Sequence, residues 1–312
     1  MKLPVLAGQV ATIEALSPSL RRFTLIPRGD EKFPAAAGGA HVVMTLRGAT
    51  RNWRNAYSLV SAPGRRDAYT IIVRLVAPSR GGSAFLHAQV SIGDPVDIDP
   101  PVNLFPIPLI ARRHLLLAGG IGVTPFLSYL PALRARGTAF ELRQFCRSED
   151  AAAFTAMLSG PECCVHPGRD RVDIAALLAA QPLGTHVSVC GPPAFMEGVV
   201  AAARKAGYPI GKIHLERFGG SVGGAPFRAV LRRSKRDIEV KPDESLLEAL
   251  EAAGIEAPCL CRGGACGECR VAVLDGTPEH RDHVMDAAEH ARGDAIMTCV
   301  SRARSPVLVL DL

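Results

Sequence analysis

The sequence predicts a multidomain protein that combines β and α/β folds, because its pattern of apolar residues changes twice along the 312 residues. Up to about residue 108, short runs alternate apolar and polar positions, which is typical of antiparallel strands. From His114 onward, apolar strands alternate with helical stretches, which predicts a parallel α/β sheet. A third region follows a glycine-rich stretch and contains five of the nine cysteines.

Turn residues separate the strand-like runs of the first region at short intervals, so we expect a small antiparallel barrel. The runs lie at 9–14, 22–26, 41–46 and 69–74.

The second region begins with a continuous apolar run at 115–118, as expected of a strand that is covered on both faces. This run leads through glycines into a helix predicted at about 125–136, with Thr124 as its N-cap. Further strands are predicted at 140–145 and 187–190. Strands and helices in this order form a parallel sheet.

The third region follows residues 219–224, Gly-Gly-Ser-Val-Gly-Gly, whose composition is that of a flexible linker. We expect a hairpin, then a helix at 246–253 that ends at Gly254, and a last strand at 307–310. The strands of the hairpin are predicted at 228–233 and 238–240.

Composition and charge exclude several classes of protein. With 48% hydrophobic and 21% charged residues, the chain is neither disordered nor fibrous. No apolar run approaches the ~20 residues that span a bilayer, and the N-terminus lacks the apolar core of a signal peptide, so we expect a cytoplasmic protein without a membrane partner. Basic residues outnumber acidic ones 24 to 15 in residues 1–226, but acidic residues lead 15 to 12 in 227–312. This division and the 5% aromatic content argue against a nucleic-acid partner, and we expect a monomer.

The spacing of the last cysteines is the most specific signal. Cys261, Cys266 and Cys269 form C-x4-C-x2-C, and Cys299 follows 30 positions later, which is the spacing of a plant-type [2Fe–2S] cluster. Intervening glycines let backbone N–H groups point at the sulfurs. A structural zinc site is the alternative, although such sites usually use two pairs of closely spaced ligands. Cys259 falls outside the pattern and is not expected to be a ligand.

Two segments predict a dinucleotide site at one edge of the parallel sheet. Residues 119–125, Gly-Gly-Ile-Gly-Val-Thr-Pro, join a strand to a helix, and Cys190 precedes Gly-Pro-Pro at the end of a later strand. Ligands of open α/β sheets bind at the carboxyl ends of the strands, and phosphates bind at helix N-termini. A glycine-rich turn alone is also compatible with a purely structural role.

Two segments of the barrel region carry groups that suit a flat ring with a phosphate tail. Arg54-Asn55-Ala-Tyr57-Ser58 supplies an aromatic ring and a hydroxyl, and Arg80-Gly81-Gly82-Ser83 supplies an anion-binding turn.

Taken together, the order of these parts resembles the phthalate dioxygenase reductase family, which includes the vanillate O-demethylase reductases. The resemblance extends over essentially the whole chain and is most specific at the four cysteines and at residues 119–125, 279–282 and 299–303. It implies an FMN-binding β-barrel domain at 1–108, an NAD-binding α/β domain at 109–218, a linker at 219–226 and a β-grasp ferredoxin domain at 227–312.

The resemblance also implies roles for individual residues. Three belong to the reaction centre: Ser58 near flavin N5, Cys190 beside the nicotinamide, and Phe218, which covers the flavin. The implied FMN contacts are Arg54 or Asn55, Tyr57, Ser58, Val73, Arg74, Arg80, Gly81, Gly82, Ser83 and Phe218. The implied nucleotide contacts are Gly120, Gly122, Thr124 and Cys190.

Two assignments stay open at this stage. The family usually has Arg-x-Tyr-Ser, but Asn55 occupies the Arg position here and Arg54 precedes it by one residue. Either a one-residue bulge lets Arg54 reach the FMN phosphate, or Asn55 leaves that role to Arg80. In the dinucleotide site, Arg147 would attract the 2′-phosphate of NADPH whereas Glu149 and Asp150 would repel it, so we expect NADH.

The resemblance implies the reductase component of a Rieske-type oxygenase system. NADH would pass a hydride to FMN, and single electrons would then pass through the [2Fe–2S] cluster to a partner oxygenase. A flavin is needed because NADH gives two electrons together and the cluster accepts one at a time. The alternatives are a flavin and iron–sulfur reductase for a non-Rieske acceptor and, in a different class, a non-catalytic metal-binding module.

Overall fold

The computed structural model describes residues 4–49, 51–76, 81–168, 172–219 and 223–312. The chain divides into two compact units, Met1–Arg217 and Phe218–Leu312. Arg80 and three residues of the predicted linker, 220–222, lie outside the described residues.

The first unit begins with a six-stranded antiparallel sheet in the order β4-β3-β6-β1-β2-β5. Its strands are β1 (Leu6–Ser17), β2 (Leu20–Pro27), β3 (His41–Arg47), β4 (Asn52–Ser58), β5 (Tyr69–Arg74) and β6 (Pro95–Ile98), and helix α1 (Gly82–Ala88) lies between β5 and β6. A bridge between Leu59 and Ile71 joins the two edge strands, so the sheet closes into a barrel. Two register shifts in β1 add the bends that a small closed sheet requires.

A five-stranded sheet follows, in which every pair of neighbours is parallel and the order is β11-β10-β7-β8-β9. Its strands are β7 (Arg113–Gly119), β8 (Ala139–Cys146), β9 (Cys163–Pro167), β10 (Thr185–Cys190) and β11 (Ile213–Glu216), and its helices are α2 (Thr124–Ala135), α3 (Ala151–Met157), α4 (Ile174–Ala179) and α5 (Pro193–Lys205). Strand order reverses at β7, which leaves a crevice between the carboxyl ends of β7 and β10.

The barrel and the parallel sheet share a hydrophobic core. Leu20 and Ile72 of the barrel belong to the same buried cluster as Phe126 and Tyr129 of helix α2. The Tyr129 hydroxyl also donates to the carbonyl oxygen of Phe105 at 2.6 Å. The two layers therefore form one compact body.

The second unit contains a five-stranded sheet in the order β13-β12-β18-β14-β16 and a two-stranded sheet of β15 and β17. Its elements are β12 (Phe227–Leu231), β13 (Arg236–Val240), α6 (Leu246–Ala252), β14 (Arg270–Asp275), β15 (Pro278–Glu279), α7 (Ala287–Arg292), β16 (Ala295–Met297), β17 (Arg302–Ala303) and β18 (Val307–Leu310). Strands β12 and β18 are parallel, and Leu246 and Leu250 of α6 are buried against the sheet in one core.

The predicted fold class is confirmed, since all three sheet types are present in the predicted order. The bounds of β5 and β18 coincide with the predicted runs. The prediction that Thr124 caps helix α2 is wrong, because a 3₁₀ turn at Gly120–Val123 makes the backbone helical before Thr124. The Thr124 hydroxyl instead donates back to the carbonyl oxygen of Ile121 at 2.9 Å. Among the helices in the described part of the chain, none has the length and apolarity of a membrane span.

Candidate cofactor sites

Strand β4 presents the predicted flavin residues on alternating faces. Its register with β3 is regular from Asn52 to Ser58, so neighbouring side chains point to opposite sides of the sheet. Arg54 therefore lies on the other face from Asn55 and Tyr57, and its Nη2 donates to Asp99 Oδ2 at 2.6 Å. The register shows no bulge in β4 that would bring Arg54 to the predicted phosphate turn. The residue that contacts the FMN phosphate stays a prediction.

Asn55 lies against the predicted phosphate turn at the start of helix α1. Its Nδ2 donates to the Tyr57 hydroxyl at 3.2 Å. The same Nδ2 is 2.2 Å from the point that a Cβ of Gly82 would occupy. Gly81 has a φ of 116°, and a Cβ there would lie 2.4 Å from Nε1 of Trp53. A Cβ at either position would displace a side chain of β4, and at Gly81 the positive φ adds backbone strain for any other residue, so glycine is favoured most strongly there.

Trp53 is a member of this group that sequence reasoning missed. It lies two residues before Asn55, and therefore on the same face of β4. Its ring centroid is 5.0 Å from that of Phe85 on helix α1. The alternation of Trp53, Asn55 and Tyr57 along one strand was the available signal.

Two of the other predicted flavin contacts in the described part of the barrel, Ser58 and Val73, have buried side chains. Ser58 ends β4 opposite His41 and is buried. The Val73 side chain belongs to the barrel core, and its carbonyl oxygen is 3.0 Å from Nε2 of His87. Burial lowers the pKa of His87, so this ring stays neutral near pH 7. Any contact between Val73 and a ligand is consequently made by its backbone.

Glycines bring the carboxyl ends of β7 and β10 together at the predicted nucleotide edge. A Cβ on Gly122 would lie 2.3 Å from the carbonyl oxygen of Cys190. One on Gly191 would lie 2.9 Å from the Cα of Gly119. The Gly120 carbonyl oxygen accepts a hydrogen bond from Nε2 of the fully buried Gln144 at 2.9 Å. Gln144 fixes the orientation of this loop, and nothing in the sequence pattern identified it.

Cys190 is fully buried at this edge. Burial, with the negative charge of Glu216, raises the pKa of its thiol well above the usual value. Cys190 is therefore a neutral thiol and is not equipped for acid–base or nucleophilic chemistry. Its contact with a nicotinamide stays a prediction.

The three residues expected to select the nucleotide separate into two environments. Arg147 and Glu149 are exposed, and Nη1 of Arg147 is 3.4 Å from Oε1 of Glu149. Asp150 is fully buried and accepts hydrogen bonds from the hydroxyls of Ser17 and Ser19 at 2.6 and 3.0 Å. The expectation that Asp150 repels a 2′-phosphate is wrong, because its carboxylate is enclosed between the barrel and the sheet.

The four predicted cluster ligands are gathered in the second unit. The sulfur atoms of Cys269 and Cys299 are 3.2 Å apart, and the thiols of Cys261 and Cys266 are hydrogen-bonded to each other. The backbone N–H of Gly263 donates to the Cys261 sulfur at 3.3 Å. This arrangement fits a [2Fe–2S] cluster, since four sulfurs converge and backbone donors point at them.

Hydrogen bonding within each sulfur pair favours a thiolate. The bond from Cys266, opposed by burial and assisted by backbone N–H groups, lowers the pKa of Cys261 to about 5. The bond from Cys299 lowers the pKa of Cys269 to about 7. Metal ligation requires deprotonated sulfur, and the lowered pKa values of Cys261 and Cys269 favour that form.

One ion pair and a set of backbone hydrogen bonds support the cluster loop. Arg262 has a positive φ of 54° and forms two hydrogen bonds with Glu251 on helix α6, at 2.7 and 2.8 Å. Asp282 accepts a hydrogen bond from the backbone N–H of Met285 at 2.9 Å, and the next residue, His283, donates its backbone N–H to the Gly264 carbonyl oxygen at 3.0 Å. These contacts fix the loop from both sides.

Asp282 also forms a cluster with two histidines. The ligand atoms of His280, Asp282 and His290 lie within 4.8 Å of one another, as a metal site would require. The two imidazole rings, however, are nearly parallel, at 8° and 4.3 Å, so their in-plane lone pairs do not converge on one point. The Asp282 carboxylate already accepts from backbone N–H groups, and we interpret the cluster as structural.

Phe218 belongs to the second unit and is 47% exposed. A Cβ on the next residue, Gly219, would lie 2.4 Å from the carbonyl oxygen of Gly263. The backbone after Phe218 therefore packs against the cluster loop. Its predicted position over the flavin stays a prediction, as does the role of Arg80.

Comparisons with known proteins agree with this arrangement. Residues 230–304 match the family described as 2Fe-2S iron–sulfur cluster binding domain. The heme-dependent oxidative N-demethylase beta subunit of Ectopseudomonas mendocina is 42% identical over 97% of this chain and 98% of its own length. The carnitine monooxygenase reductase subunit of Acinetobacter baumannii is 37% identical over 97% of this chain and 96% of its own. The solved structure of phthalate dioxygenase reductase superposes with a TM-score of 0.87 and 32% identity, covering 99% of this chain and 98% of that one.

Fold, sites and similarity define an electron-transfer oxidoreductase that joins a flavin barrel, a nucleotide-binding sheet and an iron–sulfur domain in one chain. The chain belongs to the phthalate dioxygenase reductase family. Its cofactors are FMN, a [2Fe–2S] cluster and NADH.

Proposed function

We propose that this chain is the reductase component of a Rieske-type oxygenase system and delivers electrons from NADH to a separate oxygenase. The observation that carries the proposal is the presence, in one chain, of a nucleotide edge, a barrel with a phosphate turn and four converging sulfurs. Similarity over the whole chain to reductase subunits of oxygenases supports the same conclusion.

Each proposed domain has one function. Residues 1–108 bind the flavin, residues 109–218 bind the nucleotide, and residues 227–312, which follow a linker at 219–226, bind the cluster. FMN supplies the exchange between hydride and single-electron chemistry. This chain would hold the ring beside Tyr57 and Ser58 and the phosphate at residues 81–83, against which Asn55 lies. Cys261, Cys266, Cys269 and Cys299 hold the cluster.

The parallel sheet orients the reduced nucleotide. Gly120 and Gly122 let the loop after strand β7 pack closely against its neighbours. The pyrophosphate would bind beside this loop, where Thr124 begins the helix. Because the Cys190 thiol is neutral and buried, it contributes an uncharged surface beside the nicotinamide. Rate in such a site depends chiefly on placing the donor and acceptor carbons in contact, so the residues act by position.

A second candidate is a reductase for a heme-containing acceptor. The relative with 42% identity is named as the beta subunit of a heme-dependent oxidative N-demethylase. The two candidates differ in the partner and share the electron path within this chain.

We further propose that the protein is a cytoplasmic monomer that prefers NADH to NADPH. None of the nine cysteines, all of which lie in the described part of the chain, forms a disulfide, and this agrees with a reducing compartment. Glu149 remains the acidic residue that is exposed beside Arg147 at the nucleotide edge.

An anaerobic NADH titration of the purified protein tests the electron path. We expect flavin absorbance to bleach together with the broad iron–sulfur band, and metal analysis to give two irons per chain. A protein with stoichiometric zinc, or with iron but no flavin, would contradict the proposal. Reduction of a purified Rieske oxygenase, compared with a heme-containing demethylase subunit under the same conditions, then decides between the two acceptors.

A further inference from the structure

Arg74 and Asp150 form an ion pair at the junction of the barrel and the parallel sheet. Arg74 ends strand β5, and Asp150 follows strand β8 at the carboxyl edge of the sheet. Nη2 of Arg74 is 3.5 Å from Oδ2 of Asp150, and their side chains are 18% and 1% exposed. The pair lies within the first compact unit, so its geometry belongs to one body.

The second amino group of Arg74 faces the nucleotide loop. Its Nη1 is 3.0 Å from the point that a Cβ of Gly120 would occupy. Gly120 itself has a φ of 57°, and Gln144 holds its carbonyl oxygen. One guanidinium thus reaches from a buried carboxylate to the turn between β7 and helix α2.

The environment of Asp150 holds its carboxylate in a fixed position. The hydroxyls of Ser17 and Ser19, at the turn between β1 and β2, both donate to Oδ1. The other oxygen, Oδ2, is left facing Arg74. Burying a carboxylate is costly unless it is paired and hydrogen-bonded, and a link between barrel and sheet could be made by neutral groups. The charge therefore points to a function for Arg74 that needs a fixed orientation.

We propose that Arg74 binds the pyrophosphate of the nicotinamide dinucleotide and that Asp150 is the positioning residue that holds Arg74 toward it. The inference rests on the proposed use of NADH. It reassigns Arg74, which the family resemblance had placed among the FMN contacts. A guanidinium presents five N–H donors, so it can contact Asp150 and a phosphate oxygen together.

Direct binding of ADP-ribose by the purified holoprotein tests the proposal, because this probe carries the pyrophosphate and lacks the nicotinamide. We expect Arg74→Met to weaken its binding about tenfold to a hundredfold, the usual effect of losing a charge-assisted hydrogen bond. Asp150→Asn, which keeps the shape but removes the charge, is expected to weaken binding by a smaller factor of about three to ten. Asp97→Asn is the matched control, since Asp97 pairs with Arg47 on the barrel surface.

A second electron donor separates positioning from general damage. 1-Benzyl-1,4-dihydronicotinamide carries the nicotinamide ring without any phosphate, so its rate of flavin reduction should be unchanged in both variants while kcat/KM for NADH falls. If Arg74→Met does not fold, Arg74→Lys keeps the charge without the planar fork and should show an intermediate loss.

Three outcomes would overturn the inference. Equal losses with both donors, at full FMN content, would mean that the pair is only structural. Loss of FMN with unchanged ADP-ribose affinity would return Arg74 to the flavin. A wild-type protein that holds FMN and iron but does not bind ADP-ribose overturns the inference alone, whereas failure of the proposed function is recognised by a preparation that lacks flavin and iron.

Discussion

The cluster loop and the nucleotide edge are both built to hold negative charge, and they do so in different ways. In the cluster loop, the charged atoms belong to the protein itself: three sulfurs lie within nine residues, and the loop supplies its own N–H donors. At the nucleotide edge, the charge arrives with the ligand, and the protein supplies closely packed strand ends. The Cβ positions of Gly122 and Gly191 lie against the backbone of Cys190 and Gly119, so only glycine permits this packing.

The two sites should therefore be sensitive to different kinds of substitution. A site made of ligands fails when a ligand is replaced, whatever the size of the substitute. A site made of close backbone contacts fails when an atom is added, even an apolar one. The following predictions test this contrast.

The largest effect is expected from replacing a sulfur. Cys269→Ser removes one of four converging sulfurs, so we expect loss of nearly all bound iron and of electron transfer to an external acceptor. Reduction of the flavin by NADH should persist, since it does not use the cluster. Iron analysis and anaerobic absorbance measure both, and Cys259→Ser is the matched control. Full iron content in Cys269→Ser would show that the ligand set is wrong.

A large effect is also expected from adding one methyl group at the nucleotide edge. In Gly122→Ala, the new Cβ would lie 2.3 Å from the Cys190 carbonyl oxygen, so the strand end or the loop must move. Because displacement of about 1 Å can cost a hundredfold in rate, we expect kcat/KM for NADH to fall by about that factor.

Gly198→Ala is the control for this substitution. Gly198 lies on helix α5 with open space around its Cβ position, and alanine there should stabilise the helix by about 1 kcal/mol. Wild-type kinetics in Gly122→Ala would mean that the close approach is not needed for nucleotide binding.

Acid should affect the first unit through its buried histidines. His114 and His186 are paired neighbours on β7 and β10, and burial, with the charges of His186 and His214, lowers the pKa of His114 to about 4. The unfolded chain, with a histidine pKa near 6.5, binds this proton more tightly. The free energy of unfolding should therefore fall as pH drops from 6.5 to 4, by up to about 3 kcal/mol for His114 alone.

Denaturation followed by tryptophan fluorescence measures this effect in the right unit, because Trp53 is the single tryptophan. In His114→Leu, the free energy of unfolding should depend less steeply on pH between 6.5 and 4. If the free energy of unfolding falls as steeply with decreasing pH in the variant as in the wild type, the effect belongs to other groups.

The smallest effect is expected from Glu149, the exposed residue that is proposed to distinguish NADH from NADPH. Glu149→Gln removes an exposed charge that pairs with Arg147, so we expect the preference for NADH over NADPH to weaken by about two- to fivefold. Steady-state kinetics with both nucleotides measure it. Glu162→Gln, which affects an exposed ion pair with Arg134, should leave the ratio unchanged. An unmoved ratio in Glu149→Gln would exclude this residue as the selector.

Much of the fold could be predicted, since strands such as β5 and β18 follow from local alternation and composition. The chemistry of the iron–sulfur loop could also be predicted, because ligand type and spacing are both local properties. The start of the helix at Thr124 was predicted correctly, but its role as the N-cap was not. A residue caps a helix only if the backbone before it is not helical, and here a 3₁₀ turn precedes Thr124.

The sites that depend on contact between distant elements could not be predicted to the same extent. The choice between Arg54 and Asn55 depended on strand register, which fixes the face that each side chain takes. Asp150 was expected to repel the 2′-phosphate of NADPH, and it is instead enclosed by residues more than 130 positions away. Gln144 and Trp53 gave no motif, because their roles come from the neighbours that the fold brings to them.

By itself, then, the sequence determined the three-part architecture, the four sulfurs and the glycines of the nucleotide loop. These are properties of residue type and spacing along the chain, and folding does not change them. Only the tertiary structure decided which side of β4 meets the phosphate turn, how Arg74 is oriented and which acidic residue stays exposed. Those properties depend on burial and on distances of a few ångströms between elements, and they cannot be predicted from residue type and spacing along the chain.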